Sequence, residues 1–412
     1  MLVKKFANSG IKSTAIFVLS DLISFASNAL VFILLLNRIS QIEYGRYAFA
    51  YSLSFWFISL ILFAMNYNGV RLLQIKENQN WNKIAFFIFF KLILFFSAFF
   101  VLFVLYLNNL INFNSFIAIS IMSFVQVFQV DFVYIAFKSP QILMLGRVLT
   151  AVSFFSIILI FITPKSSFLD VVFYQVASTL IGFTVLYYNI QKHIPFPKSS
   201  SINIDFKQIV PFFKSGYQTT IAQFFQAGYL NMDVIVFGLF FANSSKLGQY
   251  SACAKLLLTG LVPMGSILNA SGASISSAYL NQDFQTLKLK LNQLKLISFL
   301  LGIIGFIVLF LFGSKLLHLI SNKEMSDTVY FMLPLSVVYI FYGIQLPFFA
   351  TLPFLKKDFE FLIISAGGFC ISIITSTIVV KFNNLYFIPI IPISYASFLA
   401  FSSYIVNKKV FE

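Results

Sequence analysis

Residues 37–52, NRISQIEYGRYAFAYS, place two arginines, a glutamate and a glycine flanked by tyrosines in a very apolar chain. The Gly-x-Tyr core of this stretch recurs in SSKLGQYSACAKLL, residues 244–257, where Gly45 falls on Gly248 at an offset of 203 residues. The same offset places the segment ENQNWNKI on LNQDFQTL, with matching asparagine and glutamine. A register held without gaps over this length indicates an internal duplication.

The composition is that of a membrane protein. The chain of 412 residues is 59% hydrophobic and 10% charged, with 56 phenylalanines and a mean hydropathy of +0.90. Such a chain has too few polar side chains to cover the surface of a soluble fold. The first apolar run, Thr14 to Leu36, is too long for the core of a signal peptide. It is therefore predicted to be a retained transmembrane helix.

A transmembrane helix needs about 20 apolar residues, and this length predicts twelve such helices. Most lysines and arginines then lie in connections on the side of the N-terminus, which the positive-inside rule assigns to the cytoplasm. Both termini are predicted to be cytoplasmic, as an even number of helices requires. The predicted spans are 13–36, 47–67, 84–107, 115–137, 142–163, 170–190, 215–241, 248–271, 296–313, 329–354, 359–380 and 387–406.

The offset of the repeat equals six predicted helices, so the two halves should have the same orientation in the membrane. The predicted fold class is an all-α integral membrane protein with 12 transmembrane helices in two six-helix lobes, related by a parallel pseudo-two-fold repeat. The predicted lobes cover 1–195 and 215–412, and 196–214 is a cytoplasmic linker. Transporters built from such repeats bind substrate at the repeat interface. A transporter is therefore the leading interpretation.

Two local features have a predicted structural role. Gly45 and Gly248 would relax the backbone where the chain turns back into the membrane, and the tyrosines two residues later would anchor at the interface. The segment 283–295 places Leu287, Leu291 and Leu294 at helical spacing, with lysines between them. It is interpreted either as an amphipathic helix on the inner membrane surface or as a cytoplasmic extension of the ninth transmembrane helix.

Several classes of function are not indicated. The net charge of +15 comes from basic residues scattered between apolar runs rather than from one patch, so no nucleic-acid partner is predicted. Cys253 and Cys370 lie in apolar runs and indicate neither a disulfide nor a metal site. No Walker motif, Ser-His-Asp arrangement or metal-ligand cluster is present in the sequence. The protein is predicted not to be an enzyme and to need no cofactor.

The stretch RISQIEYGRYAFA resembles the first outside loop of the polysaccharide transporters of the multidrug/oligosaccharidyl-lipid/polysaccharide (MOP) flippase superfamily. Residues 231–257 are similar to the seventh-to-eighth helix segment of that family, and residues 274–291 to the inside loop that follows. Length and loop pattern look most like the O-antigen flippases (Wzx type). The second loop departs from the pattern, because Lys246 stands where the first copy has Glu43.

This resemblance implies that the protein moves undecaprenyl-diphosphate-linked O-antigen repeat units from the cytoplasmic to the periplasmic leaflet of the bacterial inner membrane. Transport would proceed by alternating access, driven by an ion gradient or by removal of the product. The implied partners are the lipid-linked oligosaccharide, membrane lipids, and the polymerase and chain-length regulator of the same lipopolysaccharide pathway.

Charged side chains inside a membrane usually face a cavity or a partner, because a charge at mid-bilayer costs about 2.5–3.5 kcal/mol. A diphosphate substrate requires cations that are not already neutralised, so Arg46 and Lys255 are the first predicted substrate contacts. Five further side chains complete the predicted substrate-binding set: Lys91, Arg147, Asn28, Gln223 and Gln226. The predicted ion-coupling residues are Asp21, Asp233 and Asp131. Burial favours the protonated form of a carboxyl group and an ion pair favours the charged form; the sequence leaves both open.

Other interpretations of the same residues stay open. The polar side chains of helices one and seven can also bond across helix interfaces, and Lys91 and Arg147 can extend to lipid phosphates. A drug or small-solute exporter of the same superfamily would favour an acidic cavity, and a peptidoglycan-precursor flippase usually has further helices. A membrane-embedded O-antigen polymerase or glycosyltransferase needs a large outside loop, whereas every predicted outside loop is short.

Overall fold

The computed structural model of this chain is built from α-helices joined by short connections. Among the residues that it describes, nine helices are long and apolar enough to cross a membrane. Helices suit this composition because each satisfies its own backbone hydrogen bonds, which the membrane interior cannot do. The described residues are 23–24, 26–65, 69, 73, 80–137, 139–190, 209–241, 243–261, 264–265, 267–268, 271, 275, 277–279, 281–321, 323, 325–355 and 357–411.

The helices follow one another in the order of the predicted spans. In the first half they are α1 (Ala26–Arg38), α2 (Gln41–Ile61), α3 (Asn80–Leu107), α4 (Phe113–Val125), α5 (Asp131–Ala136), α6 (Pro140–Phe161) and α7 (Phe168–Ile190). The second half contains α8 (Ile209–Phe241), α9 (Ser245–Gly260), α10 (Phe284–Ile320), α11 (Thr328–Phe349), α12 (Asp358–Phe382) and α13 (Ile390–Phe411). Of the predicted linker 196–214, residues 196–208 lie outside the described residues and 209–214 form the first turns of α8.

Contacts divide the chain into two compact units. The first unit comprises Met1–Ile39 and Leu53–Thr220, and the second comprises Ser40–Ser52 and Ile221–Glu412. The beginning of α2 therefore packs with helices of the second half, although it belongs to the first half of the sequence.

An aromatic cluster forms part of the core of the first unit. Phe63, Phe86, Phe87 and Phe90 surround Phe212, with ring centroids between 5.2 and 5.7 Å from its own. All five side chains are buried. Tilted and edge-to-face rings at such distances attract each other beyond the effect of the area that they bury. The high phenylalanine content is thus used here for packing between helices.

In the second unit, α10 and α11 approach each other closely through small residues. A Cβ on Gly343 would lie 2.6 Å from the backbone oxygen of Ser298, and one on Gly302 would lie 2.9 Å from the backbone oxygen of Tyr339. Ser298 Oγ also donates to the carbonyl oxygen of Gly343 at 2.9 Å. Close backbone contact through glycine and serine is a typical means of joining helices in a membrane.

The ninth transmembrane helix is longer than predicted. The sequence predicted a span over 296–313, whereas α10 is one uninterrupted helix of 37 residues. It includes nearly all of the segment 283–295, so the structure has the extension and not a separate surface helix. Leu287, Leu291 and Leu294 of that segment are buried within the protein, which explains why the helix continues. At 1.5 Å per residue, α10 is about 55 Å long.

The first turn of α10 has a side-chain cap. Asp283 Oδ1 accepts a hydrogen bond from the backbone N–H of Thr286 at 3.0 Å. Hydrogen bonds from the side chain and the backbone of Thr286 lower the pKa of Asp283. Such a cap fixes where the helix begins.

The prediction that Gly45 and Gly248 form turns is wrong. Helix α2 begins at Gln41 and α9 at Ser245, so both glycines lie inside helices, and no described glycine has a positive φ. Their role is close contact. A Cβ on Gly45 would lie 2.8 Å from the backbone nitrogen of Gly248, and one on Gly248 would lie 2.1 Å from the backbone oxygen of Gln41. The two copies of the repeated motif therefore pack against each other within the second unit.

Candidate functional site

Arg46 has two polar partners within the second unit. Its Nη1 lies 2.7 Å from Oε1 of Glu43, one helical turn earlier, and its Nη2 donates to Oδ1 of Asn243 at 2.8 Å. The Arg46 side chain is 30% exposed, and its Nε is buried without a hydrogen-bond partner. The guanidinium charge is thus shared with a carboxylate. An anionic ligand would have to compete with Glu43 for it.

Lys255 has no carboxylate partner in the part of the chain that the structure describes. It lies on α9, partly buried, with its Nζ 5.7 Å from the ring centroid of Tyr51 on α2. An aromatic face attracts a cation without neutralising it. Lys255 therefore presents a positive charge, next to the ring of Tyr51, that an anionic ligand can use.

Asp233 on α8 is a buried carboxyl group surrounded by tyrosines. The hydroxyl of Tyr250 donates a hydrogen bond to Asp233 Oδ2, and Tyr342 and Tyr395 interact with the same carboxylate electrostatically. The ring of Tyr229 lies 4.8 Å from that of Tyr395. Asp233 has no basic partner among the described residues, so it can exchange a proton or bind a small cation. Within the same residues, no group of three His, Cys, Asp or Glu side chains could hold a metal ion.

Tyr250 has a different position from the one predicted. The sequence predicted that it anchors the chain at the membrane interface, but its side chain is completely buried. The physical reason is its hydroxyl group, which is directed at Asp233. A contact between residues 17 positions apart on consecutive helices has no signal in the repeat pattern.

Three predicted charged residues come together in the first unit. Arg147 on α6 places Nη2 3.3 Å from Oδ2 of Asp131 at the start of α5. Lys91 on α3 is fully buried and donates from Nζ to the carbonyl oxygen of Gln129 at 2.6 Å. Lys91 also interacts electrostatically with Asp131. Each cation of this group has an internal partner, and the substrate contact assigned to Lys91 and Arg147 stays a prediction.

The remaining predicted polar residues differ in exposure. Asp21 lies outside the described residues. Asn28 is exposed on α1, and Gln223 and Gln226 are partly buried on α8. None of these three amides makes a side-chain hydrogen bond within the described ranges, so all three can bond to a ligand.

A polar cluster at the start of α9 was not predicted. Lys246 Nζ donates to the hydroxyl of Tyr386 at 2.8 Å, and that hydroxyl donates to Oδ1 of Asp327 at 2.9 Å. The hydrogen bond with Tyr386 and the nearby carboxylate of Asp327 raise the pKa of Lys246. The sequence indicated that this position is unusual, because Lys246 stands where the first copy of the repeat has Glu43. It could not identify Asp327 and Tyr386 as partners, because they lie far along the chain.

Gln249 is the repeat counterpart of Arg46, and it bonds to the first copy of the repeat as Arg46 bonds to the second. Its Nε2 donates to Oε1 of Gln41 at 3.3 Å, and its Oε1 accepts from the backbone N–H of Asp327 at 3.0 Å. Arg46 reaches the residues preceding α9, and Gln249 reaches the beginning of α2. In each copy, the residue after the glycine therefore bonds to the other copy.

Arg38, the other arginine of the opening stretch, caps the C-terminal end of α6 within the first unit. Its Nη1 donates to the carbonyl oxygens of Leu159 at 2.5 Å and Ile162 at 3.0 Å. The last carbonyls of a helix have no intrahelical partner, and a cation is favourable there. The sequence identified Arg38 only as a charge in an outside loop.

Two family models match the chain. The family described as polysaccharide biosynthesis protein matches residues 11–276, and the family described as MatE matches residues 219–387. No curated protein matches the chain in sequence.

Several solved transporter structures are similar to this fold. An inward-facing multidrug resistance MATE family transporter of the MOP superfamily gives a TM-score of 0.67 at 12% identity, covering 97% of this chain and 94% of that chain. A MOP superfamily transporter from Pyrococcus furiosus gives 0.59 at 13%, covering 97% and 93%. MATE in the straight conformation gives 0.61 at 14%, covering 97% and 95%. The likeness confirms the predicted fold class, an all-α membrane protein with twelve transmembrane helices in two lobes.

Proposed function

Because the chain belongs to the polysaccharide biosynthesis protein family, whose model covers more than half of it, we propose that it flips undecaprenyl-diphosphate-linked oligosaccharide repeat units. As a transporter of the MOP superfamily, it is an integral membrane protein. In this proposal it works in the bacterial inner membrane with both termini in the cytoplasm. It passes O-antigen units of lipopolysaccharide to the periplasmic leaflet by alternating access. The polymerase and chain-length regulator of that pathway receive them.

The observation that carries this proposal is the unneutralised ammonium of Lys255. It has no carboxylate partner within the described residues, and it lies 5.7 Å from the ring centroid of Tyr51. A diphosphate needs such a charge, because a lysine already bound to a carboxylate would have to give up that ion pair first. Arg46 supplies a second cation, whose guanidinium can exchange Glu43 for a phosphate oxygen.

The polar residues have complementary roles in this proposal. The amides of Asn28, Gln223 and Gln226 have no internal hydrogen bonds in the described chain and bind sugar hydroxyls. Asp233 carries the coupling proton, because it is buried and has a hydroxyl donor but no described basic partner. Asp131 is a weaker candidate for this role because it is paired with Arg147.

A drug or small-solute exporter is the second candidate function. The match of the MatE family to residues 219–387 supports it. So does the environment of Asp233, because a buried carboxylate with aromatic rings nearby suits an organic cation. In this alternative, Asp233 binds a cationic substrate, and the positive charge of Lys255 repels that substrate.

Deletion of the gene in its own host tests the proposal. We expect single lipid-linked repeat units to accumulate on the cytoplasmic leaflet and surface polysaccharide to be lost. If single units instead reached the periplasmic leaflet without being polymerised, the flippase proposal would be wrong and the polymerase interpretation would gain support. Unchanged lipid-linked glycans with increased sensitivity to cationic drugs would support the exporter.

Complementation of the deletion strain tests the residues. We expect Lys255→Ala to reduce surface polysaccharide by about tenfold or more, because it removes a charge-assisted contact worth roughly 1.5–3 kcal/mol. Arg46→Ala should also reduce it, but less strongly, because Glu43 already shares that charge. Polysaccharide is measured on gels at equal protein level in the membrane.

Two variants serve as controls for this experiment. Lys255→Arg keeps the charge and should retain export, whereas Lys315→Ala removes an exposed lysine at the end of α10 and should have no effect. Wild-type polysaccharide from the Lys255→Ala strain would remove Lys255 from the site.

A further inference from the structure

The apolar span Phe113–Ala136 is broken near its end. Helix α4 stops at Val125, a 3-10 turn follows over Gln126–Phe128, and α5 begins only at Asp131. Between them, Gln129 has extended backbone angles, with φ −64° and ψ 129°. Carbonyl groups at such a break lack intrahelical partners. Inside a membrane they must be satisfied by another part of the protein.

Lys91 of α3 satisfies the carbonyl of Gln129. Its Nζ donates to that oxygen at 2.6 Å and lies 5.6 Å from the ring centroid of Phe132. The Lys91 side chain is 0% exposed. It is also the one charged residue of α3 between Ile84 and Leu107. An ammonium in such a helix is costly without partners, and the broken span provides them.

The carboxylate next to the break is bound by a different residue. Asp131 Oδ2 lies 3.3 Å from Nη2 of Arg147, whereas the hydrogen bond of Lys91 goes to the backbone. Lys91 interacts with Asp131 only electrostatically. The ammonium is therefore held as a ligand of the unwound backbone rather than as one half of an ion pair.

The break contains one more oxygen that could bind a cation. Gln129 Oε1 is buried and accepts no hydrogen bond from any residue that the structure describes. The carbonyl of Phe128 is already bound by the hydroxyl of Tyr187 at 2.9 Å. Unwound carbonyls in broken helices are the groups with which transporters coordinate ions such as Na⁺.

We propose that the break at Gln129 is a monovalent-cation site whose occupant is the ammonium group of Lys91. The tethered lysine holds the two parts of the broken span together and cannot leave the site. In other transporters, an exchangeable ion binds to unwound carbonyls in this way. Without the side chain beyond Cβ, the site would accept a small primary ammonium ion. This inference goes beyond the proposed function and does not depend on the substrate, because protein stability is its readout.

The test uses purified full-length protein and propylammonium chloride. This salt carries the three carbons and the ammonium group that Lys91→Ala removes. We expect Lys91→Ala to lower Tm by roughly 5 °C, because a buried carbonyl loses a charged hydrogen-bond donor. Propylammonium should restore Tm with a saturable concentration dependence. Tetramethylammonium chloride at the same ionic strength should not, because its quaternary nitrogen carries the charge but no hydrogen-bond donor.

Matched variants separate charge from packing. Lys91→Met fills the same space without a charge, so it should lower Tm and not respond to propylammonium. Lys290→Ala removes an exposed lysine from α10 and should change neither quantity. If Lys91→Ala cannot be purified, Lys91→Arg should still accumulate in the membrane while Lys91→Met does not.

Three results would overturn the proposal. The first is a Lys91→Met protein as stable as wild type, because the charge would then not be needed. The second is a destabilised Lys91→Ala protein on which propylammonium has no effect. The third is a Lys91→Ala protein of normal stability that has lost transport, which would instead place Lys91 in contact with the substrate.

Discussion

Arg46 and Lys255 have different surroundings. Both were predicted to contact the substrate because both are cations in a very apolar chain. Arg46 bonds to Asn243, which lies 197 positions further along the chain, and to Glu43 one turn away. Lys255 has only the ring of Tyr51 nearby among the described contacts. The sequence could identify both cations because charges are rare in this chain. It could not identify their partners, which depend on how α2 packs against α8 and α9.

Substitutions at Asp233 and Tyr250 test whether Asp233 carries the proton that is coupled to transport. Asp233→Asn keeps the shape but cannot exchange a proton, so we expect proton flux through reconstituted protein to be lost. Tyr250→Phe removes a hydrogen bond to the charged carboxylate, which favours the protonated form. We therefore expect the pH profile of transport to shift to higher pH in that variant. Both effects are measured in liposomes with a pH-sensitive dye.

A matched substitution on a tyrosine without this contact controls for general damage. Tyr330→Phe removes an exposed hydroxyl from α11 and should leave the pH profile unchanged. Wild-type proton flux in Asp233→Asn would exclude Asp233 as the coupling residue.

At the scale of elements, the sequence predicted the helices better than their ends. Length and hydropathy placed α3, α7 and α12 close to their observed positions, because uninterrupted apolar runs allow few alternatives. The start of α2 was placed after Gly45 instead of before it, because glycine, arginine and glutamate are typical of loops. The segment 283–295 had two interpretations because helical spacing of leucines predicts a helix but not what covers it.

The contact between Gly45 and Gly248 predicts a strong effect of a single methyl group. In Gly248→Ala, the new Cβ would lie 2.1 Å from the backbone oxygen of Gln41, and a backbone atom cannot move aside as a side chain can. We expect a loss of about 1–3 kcal/mol in the free energy of unfolding, as for other overpacked sites. A thermal unfolding assay on detergent-solubilised protein measures it.

Gly265→Ala is the control for this substitution, because a Cβ there would meet nothing within 4 Å. We expect its Tm to equal that of the wild type. Equal Tm values for Gly248→Ala and Gly265→Ala would show that α2 and α9 can separate at this point without cost.

At the scale of the whole molecule, the duplication was the most informative sequence feature. It predicted two halves of six helices, and the fold shared with MOP transporters agrees. The contact units could not be predicted, because Ser40–Ser52 clusters with the second half of the chain. Within that unit, Gly45 and Gly248 pack closely, and a repeat pattern does not contain such a contact.

Membrane orientation is the testable prediction for the whole chain. The distribution of lysine and arginine predicts both termini in the cytoplasm. We expect fluorescence from a green fluorescent protein fused to either end. Alkaline phosphatase fused after Lys165, between α6 and α7, should be active, whereas fusion after Lys357 should be inactive. The opposite pattern of phosphatase activity would invert the predicted topology.

The contact between Gly45 and Gly248 also bears on the evolutionary origin of the chain. In a symmetric homodimer, a residue near the two-fold axis touches its own counterpart in the other subunit. Gly45 and Gly248 have this relation inside one polypeptide, and Arg46 and Gln249 each bond across to the other copy. This is the arrangement that fusion of two ancestral subunits across an isologous interface would leave. Fusion also frees paired positions to differ, so that a glutamate and a lysine now occupy positions 43 and 246.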